Sequence, residues 1–459
     1  MRGGHMIDFL KAANKIVWGA PALILILGVG LYLSIRTGFI QFRLLPKAFC
    51  MFKRSLLGNK NEKNGISQYQ ALCTALAATV GTGNLAGVAG AMALGGPGAV
   101  FWMWVCAVFG MVTKFAEATL AIRFRSINSN GEFIGGPMYM IRNGMGKRWH
   151  ILAGIYAFFG VTASFGVGNA TQINAVIGGI NSVITAFGGH RSYCMDLCIG
   201  ISLAILITVM LTGGAKKIGL AAERLIPFAS VAYLLLGIMV LILRFDYIPG
   251  AFATIVKGAF SPRAVTGGVV GSAFAALRVG AARGVFTNEA GMGTASIAHA
   301  AAHVKHPVEQ GLMGVMEVFL DTIVICTMTA LVILCSGVPI PYGVDTGIVL
   351  TSDSFSNVLG TWVNVPIALA LCCFAVGTVL GWSLYGIRCA QYLFGERVWK
   401  GFAYGQGFMV VIGAVLGTGT VWILAETVNG LMAIPNLIAL AYLTPELVKL
   451  IREYEKGPN

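Results

Sequence analysis

The sequence predicts an all-α polytopic membrane protein of about eleven transmembrane helices, two of them interrupted. Of its 459 residues, 57% are hydrophobic and 11% are charged, whereas soluble domains carry about 25% charged residues. Apolar stretches long enough to cross a bilayer fill most of the chain. These stretches lack the residue-by-residue alternation of a transmembrane barrel, so helices are the spanning elements.

The N-terminal region is predicted to hold one helix outside the main pattern. Residues 1–16 form a short extracellular segment, and Met1 to Met6 read as a remnant of an expression tag. Residues 17–35 are predicted as an extra transmembrane helix, followed by a basic cytoplasmic connection over 36–69. No small-residue cleavage site follows the first apolar run, so no signal peptide is expected.

The other ten spans divide into two sets of five. The first set is expected within residues 70–243 and the second within 244–445, with 446–459 as a cytoplasmic tail. The eleven predicted spans are 17–35, 70–94, 97–121, 150–187, 196–214, 222–243, 262–288, 312–335, 362–387, 402–424 and 427–445.

The formal net charge of +14 follows from topology and not from nucleic-acid binding. Lysine and arginine concentrate in alternate loops, beginning with the connection after the first span and ending with the tail. The intervening loops hold few, for example Arg191 and Arg244. By the positive-inside rule, the N-terminus lies outside and the C-terminus in the cytoplasm of a cell or inner membrane.

Two spans carry glycine clusters. The second contains Gly81-Thr82-Gly83-Asn84 near the expected midplane, and the seventh contains a cluster over Gly267–Phe274. Glycine weakens a helix interior; close helix packing explains single glycines, but not a cluster that includes polar side chains. Both clusters open a set of five helices of opposite orientation. Interrupted helices in corresponding positions of an inverted repeat are typical of a transporter binding site.

Four stretches resemble the alanine/glycine:cation symporter family. They are Thr74–Val88, Gly95–Met103 running on to Lys114–Glu117, Gly135–Tyr139, and Arg283–Gly293 with the region to Gly311. The similarity extends from Trp18 to Phe394. It implies the ten-helix inverted-repeat fold of the bacterial leucine transporter, no enzyme activity, and symport of alanine or glycine with Na+ or, less often, H+. Thr287 replaces a usual serine, and Ile387 replaces a common acidic residue.

The amino-acid substrate that this resemblance implies needs a site for each of its charges. A break at Gly81 would leave the amides of Gly83 and Asn84 at a half-helix N-terminus, where a carboxylate is favoured. The ammonium group is expected to meet carbonyl groups around Gly267–Ser272 and the side chain of Gln172. The predicted substrate-binding residues are Gly81, Thr82, Gly83, Asn84, Gln172, Gly271, Ser272, Phe274, Thr378 and Trp382.

The remaining site predictions concern size selection and the coupling ion. Phe274 and Trp382 are expected to form an apolar wall that limits the substrate side chain. Na+ prefers oxygen ligands, and carbonyl groups near Thr79 and Gly81 with the Thr378 hydroxyl are predicted to hold it. Interhelical hydrogen bonding is the alternative role for Gln172.

Charged residues inside the spans are expected to pair. Lys114 and Glu117 have the i, i+3 spacing of a local ion pair. Arg278 and Arg283 are expected to close the cytoplasmic side by pairing with acidic residues, namely Asp321, Glu289 and Glu117. A proton-coupled carrier would need one of these titratable groups at mid-membrane.

Other chemistries find little support. His299, His303 and His306 are expected at a solvated helix end and not at a metal. Most cysteines lie in apolar runs, and Cys194 and Cys198 have no histidine nearby. A membrane enzyme would need clustered catalytic groups at an interface, and none is found. The expected partners are a small amino acid and the bilayer, with no nucleic acid, and the protein is expected to be a monomer. The main alternative function is transport of another solute by a carrier with the same fold.

Overall fold

The computed structural model describes residues 14, 17–57, 66–344, 347–415 and 419–457. Apart from Asn14, the predicted N-terminal segment 1–16 lies outside them. The helices are α1 Ala20–Arg36, α2 Leu45–Leu57, α3 Gln68–Thr79, α4 Gly83–Gly95, α5 Gly98–Arg123, α6 His150–Phe165, α7 Thr171–Ala186, α8 Tyr193–Thr212, α9 Gly214–Leu243, α10 Ile248–Phe260, α11 Ala273–Asn288, α12 Thr294–His299, α13 Pro307–Ser336, α14 Ile348–Leu359, α15 Asn364–Phe394, α16 Trp399–Val415 and α17 Gly419–Lys456.

Shorter elements connect these helices. A two-stranded antiparallel hairpin pairs β1, Ser126–Ile127, with β2, Phe133–Ile134. Short helical turns lie at Ile40–Arg43, Pro137–Met140, Lys147–Trp149, Phe245–Tyr247, Pro262–Thr266, Thr361–Val363 and Glu396–Val398. Wider π-helical turns occur at Gly83–Gly87, Ile141–Met145, Gly166–Ala170 and Phe319–Cys326.

The described helices match the predicted pattern of a multi-pass membrane protein. Seven continuous helical stretches are long and apolar enough to cross a bilayer, and α3 with α4 makes an eighth span. The other three predicted spans correspond to α1, α11 and α16, of 17, 16 and 17 residues. At 1.5 Å per residue, helices of this length lie near the lower limit of about 17 residues for a transmembrane segment.

Ion pairs bring the ends of several spans to one face. Arg43, after α1, lies 3.1 Å from Glu455 at the end of α17. Arg123, at the end of α5, lies 2.8 Å from Glu446. Loops that the sequence assigns to one side of the membrane therefore meet in the structure.

The first predicted interruption is present. Helix α3 ends at Thr79, α4 begins at Gly83, and their axes differ by 52°. Helix α3 starts with a capping box in which Ser67 and Gln70 each accept the other's backbone N–H. Its end carries no comparable cap, because the chain turns at Val80 and Gly81 before the π-helical turn begins.

The second interruption lies elsewhere than predicted. Residues 267–272 do leave helical geometry, but they form an exposed loop that ends where α11 begins, with Ser272 accepting the N–H of Ala275. The interruption inside the protein separates α11 from α12 at Glu289–Gly293. There the backbone takes positive φ at Glu289, Gly291 and Gly293, values that end a right-handed helix.

The two interrupted helices lie between long continuous ones. Helix α5 packs against α11 and α13, and α15 packs against α3, α6, α7 and α9. Helix α12 contacts α3, α5 and α15. Residues from both interruptions, together with residues of α15, line one buried region.

Candidate functional site

A narrow buried cavity lies at the first interruption. Four helical segments line it: the end of α3 and start of α4, the turn before α7, the end of α11, and the middle of α15. The lining residues are Ala78, Thr79, Gly81, Thr82, Gly83, Val167, Gln172, Phe286, Thr287, Glu289, Thr378 and Trp382. Seven of them are predicted site residues, which the structure thus brings together.

Polar groups at the first interruption bond to one another. The N–H of Gly81 donates to Asn84 Oδ1 at 2.9 Å, and the N–H of Asn84 donates to the Gly81 carbonyl at 3.3 Å. Thr82 Oγ1 donates to Gln172 Oε1 at 3.2 Å. The first N–H groups of a helix have no intrahelical acceptor, so the start of α4 presents the Gly83 amide beside the cavity.

The side chain of Asn84 forms hydrogen bonds to α13 that the sequence did not predict. It is not among the lining residues; its Nδ2 donates to Asp321 Oδ1 at 2.7 Å and to the Asp321 carbonyl at 3.2 Å. Thr322 donates to the other oxygen of the same carboxylate at 2.8 Å. The side chain of Asn84 therefore ties the interruption to α13. Its backbone N–H, predicted to face the substrate carboxylate, donates to the Gly81 carbonyl in this structure.

Trp382 and Glu289 form the opposite wall of the cavity. The indole N–H of Trp382 donates to Glu289 Oε1 at 3.0 Å, and Thr294 donates to Oε2 at 2.6 Å. Trp382 is fully buried against Gly168, where an added Cβ would lie 2.2 Å from the Trp382 Cβ. The absent side chain at Gly168 thus lets the indole reach its position.

Glu289 was missed as a lining residue by the sequence reasoning. It is the one charged side chain among the lining residues of this cavity, and it is buried. Within the described residues it forms hydrogen bonds to Trp382 and Thr294 and no ion pair. The signal was present in Asn288-Glu-Ala-Gly-Met-Gly293, where glycines two residues apart permit a left-handed turn.

Oxygen atoms gather at the end of α3. Thr79, Gly81 and Thr378 all border the cavity, and an added Cβ on Gly81 would lie 2.8 Å from Thr378 Oγ1. The Thr378 hydroxyl donates to the Phe374 carbonyl at 3.0 Å, which leaves its lone pairs for a ligand. The last carbonyl groups of a helix lack intrahelical donors and carry partial negative charge. This set suits a hard cation.

Three predicted site residues lie away from the cavity. Gly271 and Ser272 are exposed in the loop before α11, and Phe274 is 61% exposed in the first turn of that helix. Almost the whole of α11 separates this loop from Glu289. These three residues do not line the cavity, because the glycine cluster precedes a helix and does not interrupt one.

A chain of buried polar contacts joins α5, α12 and α13. Lys114 Nζ lies 2.9 Å from Glu317 Oε1, and His299 Nε2 lies 2.9 Å from Glu317 Oε2. Gln310 Nε2 donates to His299 Nδ1 at 2.6 Å. Lys114 therefore pairs with Glu317 across helices and not with Glu117, and His299 is fully buried, not solvated. The described residues contain no cluster suited to a metal ion.

Within the described residues, no ion pair joins Arg278 or Arg283 to Asp321, Glu289 or Glu117. Arg283 lies 3.9 Å from Glu426, while Asp321 bonds to Asn84 and Thr322. Glu117 accepts hydrogen bonds from backbone and amide groups. Sequence spacing showed which residues were charged, but pairing depends on which helices pack together.

Comparisons with known proteins agree with this architecture. The family model described as the sodium:alanine symporter family matches residues 4–459. The sodium/alanine symporter AgcS of Methanococcus maripaludis is 42% identical over 98% of this chain and 97% of its own. The probable sodium/glutamine symporter GlnT of Bacillus subtilis is 37% identical over 97% and 90%. The crystal structure of MhsT in complex with L-phenylalanine superposes with a TM-score of 0.58 at 15% identity, covering 85% of this chain and 99% of that one, which shows a shared fold.

Proposed function

We propose that this chain, which belongs to the sodium:alanine symporter family, moves a small neutral amino acid, alanine or glycine, into the cell together with Na+. The observation that carries the proposal is the cavity between the two interruptions. A half-helix N-terminus lies on one side of it, a carboxylate lies on the other, and the C-terminal end of α3 lies beside both. These are three complementary sites for a zwitterion and a hard cation.

The carboxylate end of the substrate is assigned to the start of α4. The amide of Gly83 borders the cavity there, and a helix N-terminus carries about half a positive charge. Thr82 and Gln172, bonded to each other, border the same space. No arginine is needed, because backbone amides in a water-poor site bind a carboxylate directly.

The ammonium end is assigned to Glu289. This carboxylate accepts one hydrogen bond at each oxygen and retains lone pairs for further donors. A buried charge without a partner is unfavourable, so a substrate ammonium group beside Glu289 supplies the missing countercharge. Trp382, held by the same carboxylate, closes the space in which the substrate side chain would lie, which favours small side chains.

The coupling ion is assigned to the end of α3. Carbonyl groups near Thr79 and Gly81 and the hydroxyl of Thr378 would hold Na+ as a second transported species. Binding of Na+ there organises the same interruption whose other half receives the substrate carboxylate. Each ligand therefore raises the affinity for the other, as thermodynamic linkage requires.

The proposed topology and cycle follow from the same features. The concentration of basic residues in alternate loops supports an N-terminus outside and a tail in the cytoplasm. The site becomes accessible to each side in turn as the interrupted helices rock against the rest of the bundle. A cargo the size of glutamine is the second candidate, because a relative named as a probable sodium/glutamine symporter is 37% identical.

Uptake into proteoliposomes tests the function. Purified protein is reconstituted and the uptake of labelled alanine is followed with an inward Na+ gradient, with K+ in its place, and with an inward proton gradient alone. We expect uptake only with Na+, inhibited by glycine and much less by glutamine. Uptake driven by the proton gradient alone would assign H+ as the coupling ion, and the absence of uptake for every small neutral amino acid would reject the proposal.

A further inference from the structure

The second interruption has an unusual backbone. Three residues, Glu289, Gly291 and Gly293, have φ of 54°, 94° and 77°. They alternate with residues of ordinary geometry, and this alternation directs successive N–H groups to one side of the chain. Such an arrangement forms a concave anion-binding surface.

The anion in this concave surface is the side chain of Glu117. Its Oε1 accepts the N–H of Gly291 at 2.9 Å and that of Gly293 at 3.1 Å. Asn436 Nδ2 donates to the same oxygen at 2.7 Å and to the Gly291 carbonyl at 2.8 Å. Glu117 is fully buried, so one carboxylate from α5 takes the place of the helical carbonyl groups that the interruption removes.

Within the described residues, Glu117 is the acceptor of both N–H groups, and the Asn436 Oδ1 near Gly293 accepts neither. Unsatisfied backbone N–H groups are costly inside a membrane protein. The Met292 carbonyl, between the two glycines, accepts the Tyr156 hydroxyl at 3.1 Å. Helices α5, α6 and α17 thus hold the turn from three sides.

We propose that Glu117 is a positioning residue for substrate binding: it holds the left-handed turn that brings Glu289 to the cavity. Glu117 does not line the cavity and acts through Glu289, two residues before Gly291. The role rests on the proposed function, since it takes Glu289 as the partner of the substrate ammonium group. It also makes a prediction about the turn that is independent of any substrate.

The first experiment measures the turn directly. Hydrogen–deuterium exchange of the peptide covering residues 288–299 is compared in the full-length wild type, Glu117→Gln, Glu117→Ala and the control Glu446→Gln. Glu446, on α17, pairs at the surface with Arg123, which lies on α5 as Glu117 does. We expect exchange to rise about tenfold or more in the alanine variant, less in the glutamine variant, which keeps one acceptor oxygen, and not in the control. Unchanged exchange in the alanine variant would overturn the proposal.

The second experiment separates positioning from general destabilisation. Alanine binding in Na+ is measured for Glu117→Gln, Glu289→Gln and the double variant. If Glu117 acts through Glu289, the double variant binds as weakly as Glu289→Gln alone, within about twofold, whereas independent sites give multiplied losses. Multiplied losses would refute the route through Glu289. If the wild type binds no small neutral amino acid, the proposed function fails, and the exchange experiment still decides whether Glu117 holds the turn.

Discussion

Replacing Gly168 by alanine tests how the cavity wall is built. The new Cβ would lie 2.2 Å from Trp382 Cβ, 2.5 Å from its Cγ and 2.9 Å from its Cδ2. Carbon atoms in contact are about 3.5–4.0 Å apart, so the indole must shift by more than about 1 Å. Such overpacking costs about 1–3 kcal/mol. The shift also takes the indole N–H away from Glu289, now at 3.0 Å.

The expected loss is in binding as well as in stability. A hydrogen bond to a charged group contributes about 1.5–3 kcal/mol, which corresponds to about 10- to 150-fold in Kd for alanine. Calorimetry with Na+ present measures it, and Gly154→Ala on α6 is the control because its Cβ would meet no atom within 4 Å. If Gly168→Ala binds alanine as tightly as Gly154→Ala, the assignment of Trp382 and Glu289 to the site is refuted.

Three further predictions follow from the buried polar contacts. Lys114→Met removes the lysine partner of Glu317, which then keeps only its contact with His299. The free energy of unfolding should fall by about 3–5 kcal/mol, seen as a lower melting temperature in detergent. Lys114→Met with Glu317→Leu should recover part of the loss, and an unchanged melting temperature of the single variant would contradict the pairing. Asn84→Ala removes the acceptor of the Gly81 N–H, at a cost of about 1–3 kcal/mol, and should raise the Na+ concentration needed for half-maximal alanine binding. A lower melting temperature with an unchanged Na+ requirement would show that Asn84 is purely structural. Gln172→Leu should raise KM for alanine uptake while changing the free energy of unfolding by about 0.6 kcal/mol or less, the average for an interhelical hydrogen bond. An unchanged KM would show that Gln172 contributes to helix packing and not to substrate binding.

The first interruption was predictable from sequence because its signal is local. Glycines at 81 and 83 with Thr82 between them place weak helix formers and polar groups together in an apolar run. Such a sequence favours a break wherever its neighbours permit one. Gln172, Thr378 and Trp382 were chosen for their side-chain chemistry after the family resemblance had implied an amino-acid substrate, and the structure brings all three to the same cavity.

The second interruption was misplaced because glycine has two uses in a helix. At Gly267 and Gly268 positive φ forms an exposed loop before a helix, whereas at Gly291 and Gly293 it interrupts a buried one. Composition is similar in the two stretches. The difference is the carboxylate of Glu117, which comes from a distant helix and is visible only once α5 packs against α11 and α12.

The ion pair predicted between Lys114 and Glu117 is absent for the same reason: its competing partners come from distant helices. The i, i+3 spacing of Lys114 and Glu117 predicts contact along one helix surface, but both side chains point into packed interfaces. Each found a partner across helices, Glu317 for Lys114 and the Gly291–Gly293 turn for Glu117. Local spacing predicts pairs on exposed helices, where no competing tertiary partner is present.

Calorimetric binding of alanine in matched Na+, K+ and choline solutions tests the central claim most directly. The site proposed here joins substrate and ion at one interruption, so we predict saturable binding in Na+ and affinity at least about tenfold weaker in the other two, a coupling of about 1.4 kcal/mol. Glycine should compete with alanine in Na+. Equal affinity for alanine in all three solutions would contradict ion coupling at this site.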